Sequence, residues 1–300
     1  MSAPRFGAEP SKTTRNIILI ITAIVFLTPI LAMIQYTLRI GQPVKGVQTY
    51  GLQHYLDVFN PANESTYDPL FQGVQNSIVI AVFTVLIVLV LLLPTMILIE
   101  LKFPQLRKIL EFICLIPITI PTVVLVVGFI PAYQVVAQIF GSTPYTLAFA
   151  IGVIVLPYAF RPIAANLAAI DVTIMSEAAR SLGASWASVL WRVILPNLRR
   201  GILSSVLLTV AVVLGEYTIA SFLSQTTFQT ALLLIQQTDP YVGVIFAVFA
   251  LLFVFVLLVV ISRAGTIRGP RPGGRRQGRL ATSKAAVAGV PTSSRKGTVS

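Results

Sequence analysis

Few residues in this chain could do chemistry. There is one histidine, His54, and one cysteine, Cys114, which excludes an intrachain disulfide and a zinc site of the usual four-ligand kind. No Gly-x-x-x-x-Gly-Lys-Ser/Thr run occurs, so no P-loop cradles a nucleotide. Glu216, followed by Tyr217, is the one acidic residue well inside an apolar stretch. A carboxylate there is costly in lipid and belongs in a bundle interior, a cavity, or a place where it reaches water or a partner subunit. Pro117 and Pro121 stand four apart in another apolar stretch, with Thr122 next. Each removes a backbone donor and kinks a helix, and freed carbonyls at that depth need protein or a water-filled cavity. The remaining group is polar: Glu177 and Arg180, with Ala178, Ala179 and Gly183 around them. These groups can bind, bend and dock. A constellation for covalent catalysis is lacking, so no enzymatic activity, cofactor or metal is expected.

The elements that must carry these groups are set by composition. Of 300 residues, 56% are hydrophobic and 11% charged, against about 45–50% and about 25% in ordinary soluble domains. The expected class is an all-α integral membrane protein. Six apolar stretches are long enough to cross a bilayer, at roughly 17–38, 76–99, 110–132, 145–165, 201–223 and 241–262. The first follows Arg5, Lys12 and Arg15, as a signal peptide's apolar region would. It exceeds the usual run of about 7–15 residues and no Ala-x-Ala follows, so an uncleaved first helix is expected; the alternative is a cleaved signal and five spans.

Orientation follows from Lys and Arg. The N-terminal tail 1–16, the segment 100–109, the segment 161–200 and the tail from Arg263 together hold 20 of the 22 basic residues; Arg39 and Lys45 are the others. With six spans all four segments share one side, which places both termini in the cytoplasm. The net charge of +12 would suggest nucleic acid in a soluble protein. Here it obeys the positive-inside rule, so the expected contact is the lipid bilayer and not nucleic acid. The tail 263–300 has no acidic residue and no apolar period, and is expected to be disordered. No segment on the opposite side is large enough to capture a scarce solute, so capture would need a separate protein. His54 reads as structural or solvated, and Tyr36, Tyr50, Tyr55, Tyr133, Tyr145 and Tyr241, at span ends, as interface anchors.

The cytoplasmic segment 166–200 is the most informative. Ile174, Ala178 and Leu182 recur at i, i+4, i+8, and Trp186, Val189, Leu190 and Val193 at i, i+3, i+4, i+7, as in two short amphipathic helices. Gly183 should end the first, Ser185 cap the second, and Pro196 stop it before the next span. Periodicity alone permits two readings: a hairpin packed beneath the bundle, or one presenting the small Ala178 and Ala179 to another protein.

Glu177-Ala178-Ala179, then Gly183, then Val193-Ile-Leu195-Pro196 nine residues on, resembles the EAA loop of permease subunits of binding-protein-dependent ABC importers. Val193 stands at the usual Ile position. The resemblance runs over about 70–262 and takes in Asn76-Ser77 and Ile116-Pro-Ile-Thr-Ile-Pro121. It implies a type I six-span permease fold in a bacterial inner membrane. It also implies two ABC ATPase subunits, a second permease subunit as heterodimer partner and an extracytoplasmic substrate-binding protein. Glu177, Ala178, Ala179 and Gly183 would then form the coupling helix against the ATPase. Leu214-Gly-Glu216-Tyr-Thr-Ile resembles the fifth span of the polyamine, ferric-iron and related importers, although Thr122 and Gly215 stand where acids occur in that branch. That implies a pathway lined by Glu216, Tyr217, Pro117, Pro121 and Thr122, and a polyamine or related small solute. A self-contained secondary transporter is the alternative; it would carry internal repeats and a midplane ionisable network, whereas the 166–200 segment is not repeated and Glu216 stands alone.

Overall fold

The computed structural model describes residues 11–44 and 47–266, so most of both expected tails, 1–16 and 263–300, lies outside the described residues. In chain order the elements are α1 (Lys12–Thr37), β1 (Arg39–Val44), β2 (Val47–Tyr50), α2 (Gln53–Val58), α3 (Glu64–Lys102), α4 (Arg107–Thr119), α5 (Thr122–Phe140), α6 (Leu147–Ala169), α7 (Val172–Ser181), α8 (Trp186–Val189), α9 (Leu195–Leu214), α10 (Thr218–Phe222), α11 (Phe228–Thr238) and α12 (Pro240–Thr266). Among the described residues, six helical segments are long and apolar enough to cross a membrane. The strands form one antiparallel hairpin, with Arg39 opposite Tyr50.

The helix starts follow local capping. Ser11 accepts from the Thr14 amide at 3.2 Å, so α1 begins at Lys12 and not at 17. Asp239 accepts from the Tyr241 and Val242 amides at 3.1 and 3.2 Å, with Pro240 opening α12 where a missing donor costs nothing.

The core is built around α6, which packs against α3, α4 and α9. Leu147, Ile151, Val155, Ala159 and Ile163 recur every fourth residue and are each at most 1% exposed. It crosses α9 tightly at Gly201, where an added Cβ would lie 2.8 Å from Asn166 Cβ and 2.9 Å from the Pro162 carbonyl oxygen. The Asn166 side chain accepts from the Gly201 amide at 2.9 Å. A second cluster joins the start of α3 to α11 and α12 through Tyr67, Leu70, Phe228, Leu232, Val242 and Ile245.

Three expectations change. The stretch expected as one kinked helix over 110–132 is two helices, α4 and α5, broken at Ile120-Pro121. The segment 224–240, which lies between the apolar stretches 201–223 and 241–262 and reads from them as a short connecting loop, holds α11, opened by a reciprocal cap between Thr227 and Thr230. Pro196 does not stop the second amphipathic helix: α8 runs through a π-turn, Leu190–Ile194, directly into α9. The wide turn absorbs the missing proline donor, and the Asn197 side chain donates to the nearby Val193 carbonyl at 2.7 Å.

Candidate functional site

The α7–α8 hairpin is shaped by its two ends. Asp171 caps α7 by accepting from the Ile174 amide at 2.9 Å. After Ser181 the chain reverses at Gly183, whose φ is 86°. The Gly183 amide donates to the Arg180 carbonyl at 2.9 Å and the Ala184 amide to the Ala179 carbonyl at 3.1 Å, the left-handed termination that favours glycine. A Cβ at Gly183 would meet nothing within 4 Å, so backbone conformation, not space, calls for glycine here.

The two faces of α7 differ from what a packed hairpin would need. Val172 and Ser176 turn inward and are buried, while Ile174 is 63% and Leu182 90% exposed. Glu177 and Ala178 are exposed and Ala179 is half-buried. The apolar stripe therefore points away from the rest of this chain. Arg180 does not pair with its i−3 neighbour: its guanidinium carbon lies 4.6 Å from the Trp186 ring centroid. Arg107 pairs with Glu100 at 3.4 Å, and Glu177 has no ion pair among the described residues.

The membrane-embedded candidates sit at two helix breaks. Pro117 is half-buried inside α4, and Thr119 donates to the Ile116 carbonyl at 2.7 Å. Pro121 precedes α5, and Thr122 is its first residue. The other break lies between α9 and α10. There Glu216 is half-buried and its Oε1 accepts from the Ile219 amide at 2.6 Å, so the carboxylate caps α10. Sequence reasoning missed this local role; Gly215 after a long apolar run was the signal that a helix could end there. Because α10 packs on α5, the two breaks belong to neighbouring elements. No hydrogen bond among the described residues joins Glu216 or Tyr217 to Pro117, Pro121 or Thr122.

Beside the second break is a cavity of about 330 Å³ whose lining includes Tyr217, Ser221, Ser224, Gln225, Thr230 and Gln237. Ser224 adopts φ 51°, the single positive value at a described non-glycine residue. The lining carries hydroxyls and carboxamides and no charged group. Away from this region, His54 stacks on Tyr241 at 4.2 Å, Tyr241 on Tyr36 at 4.8 Å, and His54 Nε2 lies 3.0 Å from the Arg39 carbonyl oxygen. The lone histidine thus pins the β-hairpin to α1 and α12.

Residues 97–271, which include the hairpin and both ends of α9, match the family described as the binding-protein-dependent transport system inner membrane component. The chain belongs to this family. It is a permease subunit of an ABC importer, a multi-pass membrane protein that works with an ATPase and a substrate-binding protein. The permease is also similar in fold to a chain in the crystal structure of a bacterial ABC transporter involved in the import of the acidic polysaccharide alginate. The TM-score is 0.58 at 17% identity, over 86% of the permease and 99% of that chain. No curated protein matches the permease in sequence.

Proposed function

We propose that this permease forms one half of a translocation pathway and takes up the work of ATP hydrolysis through α7, with Glu177, Ala178, Ala179 and Gly183 as the coupling residues. The observation that carries the reading is the outward face of α7: Ile174 and Leu182 lie exposed beside Glu177 and Ala178, an apolar stripe with one acid that this chain leaves uncovered. On this reading two ATPase subunits close on ATP and draw the coupling helices of a permease pair together. The spans then turn from inward-open to outward-open, solute passes from the docked binding protein into the cavity between the permeases, and hydrolysis resets the state. A heterodimer of permeases, a bacterial inner-membrane location and both termini in the cytoplasm complete it; the placement of 20 of 22 basic residues supports the orientation.

For the solute, a polyamine or related small cation is supported by Glu216 beside Tyr217 at a helix break. A second reading, an uncharged hydrogen-bonding solute, is favoured by the cavity at Tyr217, Ser221, Ser224, Gln225 and Gln237, whose lining holds no charge. Co-purification of the ATPase with the wild type, and its loss with Glu177→Lys at unchanged membrane insertion, is the expected result. An ATPase that stays bound and fully stimulated in that variant would remove α7 from the interface. Uptake of labelled putrescine against a labelled neutral sugar separates the two solute readings.

A further inference from the structure

We infer that Trp186 is the positioning residue that passes the movement of α7 to the long helix α3; this rests on α7 docking the ATPase. Two cations from different elements sit over its indole. The Arg180 guanidinium carbon, from the last turn of α7, lies 4.6 Å from the ring centroid, and Lys102 Nζ, from the last turn of α3, lies 5.2 Å away. A cation within about 6 Å of an indole face is held by the ring quadrupole. Neither cation has a carboxylate partner among the described residues, and the nearby Glu100 is engaged by Arg107 at 3.4 Å. Without the indole these two positive charges would have no common partner.

Trp186 is also well placed to act as a bearing. It is the first residue of α8, whose start is set by Ser185 accepting from the Ser188 amide at 3.3 Å. It is separated from α7 by the Gly183 turn. Below it Val189 is fully buried, so the indole stands on a rigid base beside α7, which also touches α3 directly. α3 then carries the displacement away. Ser77 lies 25 residues before Lys102 on that helix, about 38 Å at 1.5 Å per residue. There the Asn76 side chain donates to the Thr226 carbonyl at 2.9 Å and Ser77 accepts from the Phe228 amide at 2.8 Å, gripping the start of α11. The route runs from α7 through Arg180, Trp186 and Lys102 to α3, and from Asn76 and Ser77 to α11.

The test uses the full chain with its ATPase, on a Cys114→Ser background, with spin labels at Thr173→Cys on α7 and Gln237→Cys on α11. Both positions are exposed. Vanadate trapping of nucleotide on the ATPase should alter both spectra in the wild type. With Trp186→Leu the α7 label should still respond, while the α11 response falls roughly threefold to tenfold. Trp186→Phe should restore part of it, and Lys102→Met should reproduce the loss with the indole intact. An α11 response unchanged in Trp186→Leu would overturn the inference alone. A wild-type α7 label indifferent to nucleotide, with the ATPase bound, would overturn the coupling reading and this inference with it.

Discussion

Ser77 and Phe228 are joined by a buried hydrogen bond, the Phe228 amide donating to Ser77 Oγ at 2.8 Å. One turn earlier on α3, a Cβ on Gly73 would come within 2.7 Å of the Thr227 carbonyl oxygen, and between them Asn76 donates to Thr226. Gly73, Asn76 and Ser77 share one helix face by their i, i+3, i+4 spacing. That face receives the capped start of α11, an element absent from the hydropathy reading.

Ser77→Ala should strand the Phe228 amide and cost about 1–3 kcal/mol. The expected readout is a lower melting temperature in detergent, with faster deuterium exchange confined to residues 226–232. Exchange there at the wild-type rate would show that the bond does not hold α11 down.

Gly201→Val should separate α6 from α9, because its Cβ would need the space of Asn166 Cβ at 2.8 Å and the Pro162 carbonyl at 2.9 Å. Overpacking of this kind costs about 1–3 kcal/mol, and the branched side chain places the variant at the upper end. Gly201→Ala, which adds the contacting Cβ alone, should lower the melting temperature by less than Gly201→Val; a Gly201→Ala variant as stable as the wild type would show that this crossing is not tight.

At Gly183 the φ of 86° and the open space around it separate two causes. Gly183→Val should lower hairpin stability by about 1–2 kcal/mol, since a bulky residue resists the left-handed region, whereas Asn and Asp tolerate it. Gly183→Asn should therefore retain most uptake, and Gly183→Asp should abolish it through the charge at the docking face. Equal uptake by the Asn and Asp variants would exclude an electrostatic role for this turn.

Glu216 accepts from Ile219 through Oε1 at 2.6 Å, so Glu216→Gln keeps the cap and removes the charge, while Glu216→Leu removes both. The Leu variant should lose about 0.5–2 kcal/mol, the usual worth of a cap, and the Gln variant close to none. If the solute is a cation, uptake of labelled putrescine should fall in the Gln variant at unchanged ATPase binding. Wild-type uptake with Gln would leave capping as the residue's whole contribution.

A topological check is independent of all of these. On a Cys114→Ser background, Ser188→Cys should react with a membrane-impermeant maleimide only after the cell membrane is opened, because the charge bias puts the 161–200 segment inside. Labelling of intact cells at that position would reverse the orientation.

Much was legible from the sequence because it depends on local rules. A bilayer demands about 20 consecutive apolar residues of any span, so the all-α membrane fold could be read from composition and run length. The spacing from Glu177 to Pro196 marked the hairpin, since helix periodicity and a glycine turn act over a few residues. Other features were left to the tertiary structure. Periodicity showed that Ile174, Ala178 and Leu182 share a face, but only the packing of Val172 and Ser176 onto the bundle turned that face outward. Pro121 announced an interruption, yet a kink and a complete break read alike until α4 settled on α6 and α5 on α10. Arg180 stood three residues from Glu177, the spacing of a helical ion pair, and instead met Trp186, whose other cation lies 84 residues upstream at Lys102. Contacts of that separation depend on where whole helices cross, and a linear pattern of residue types carries no record of the crossing.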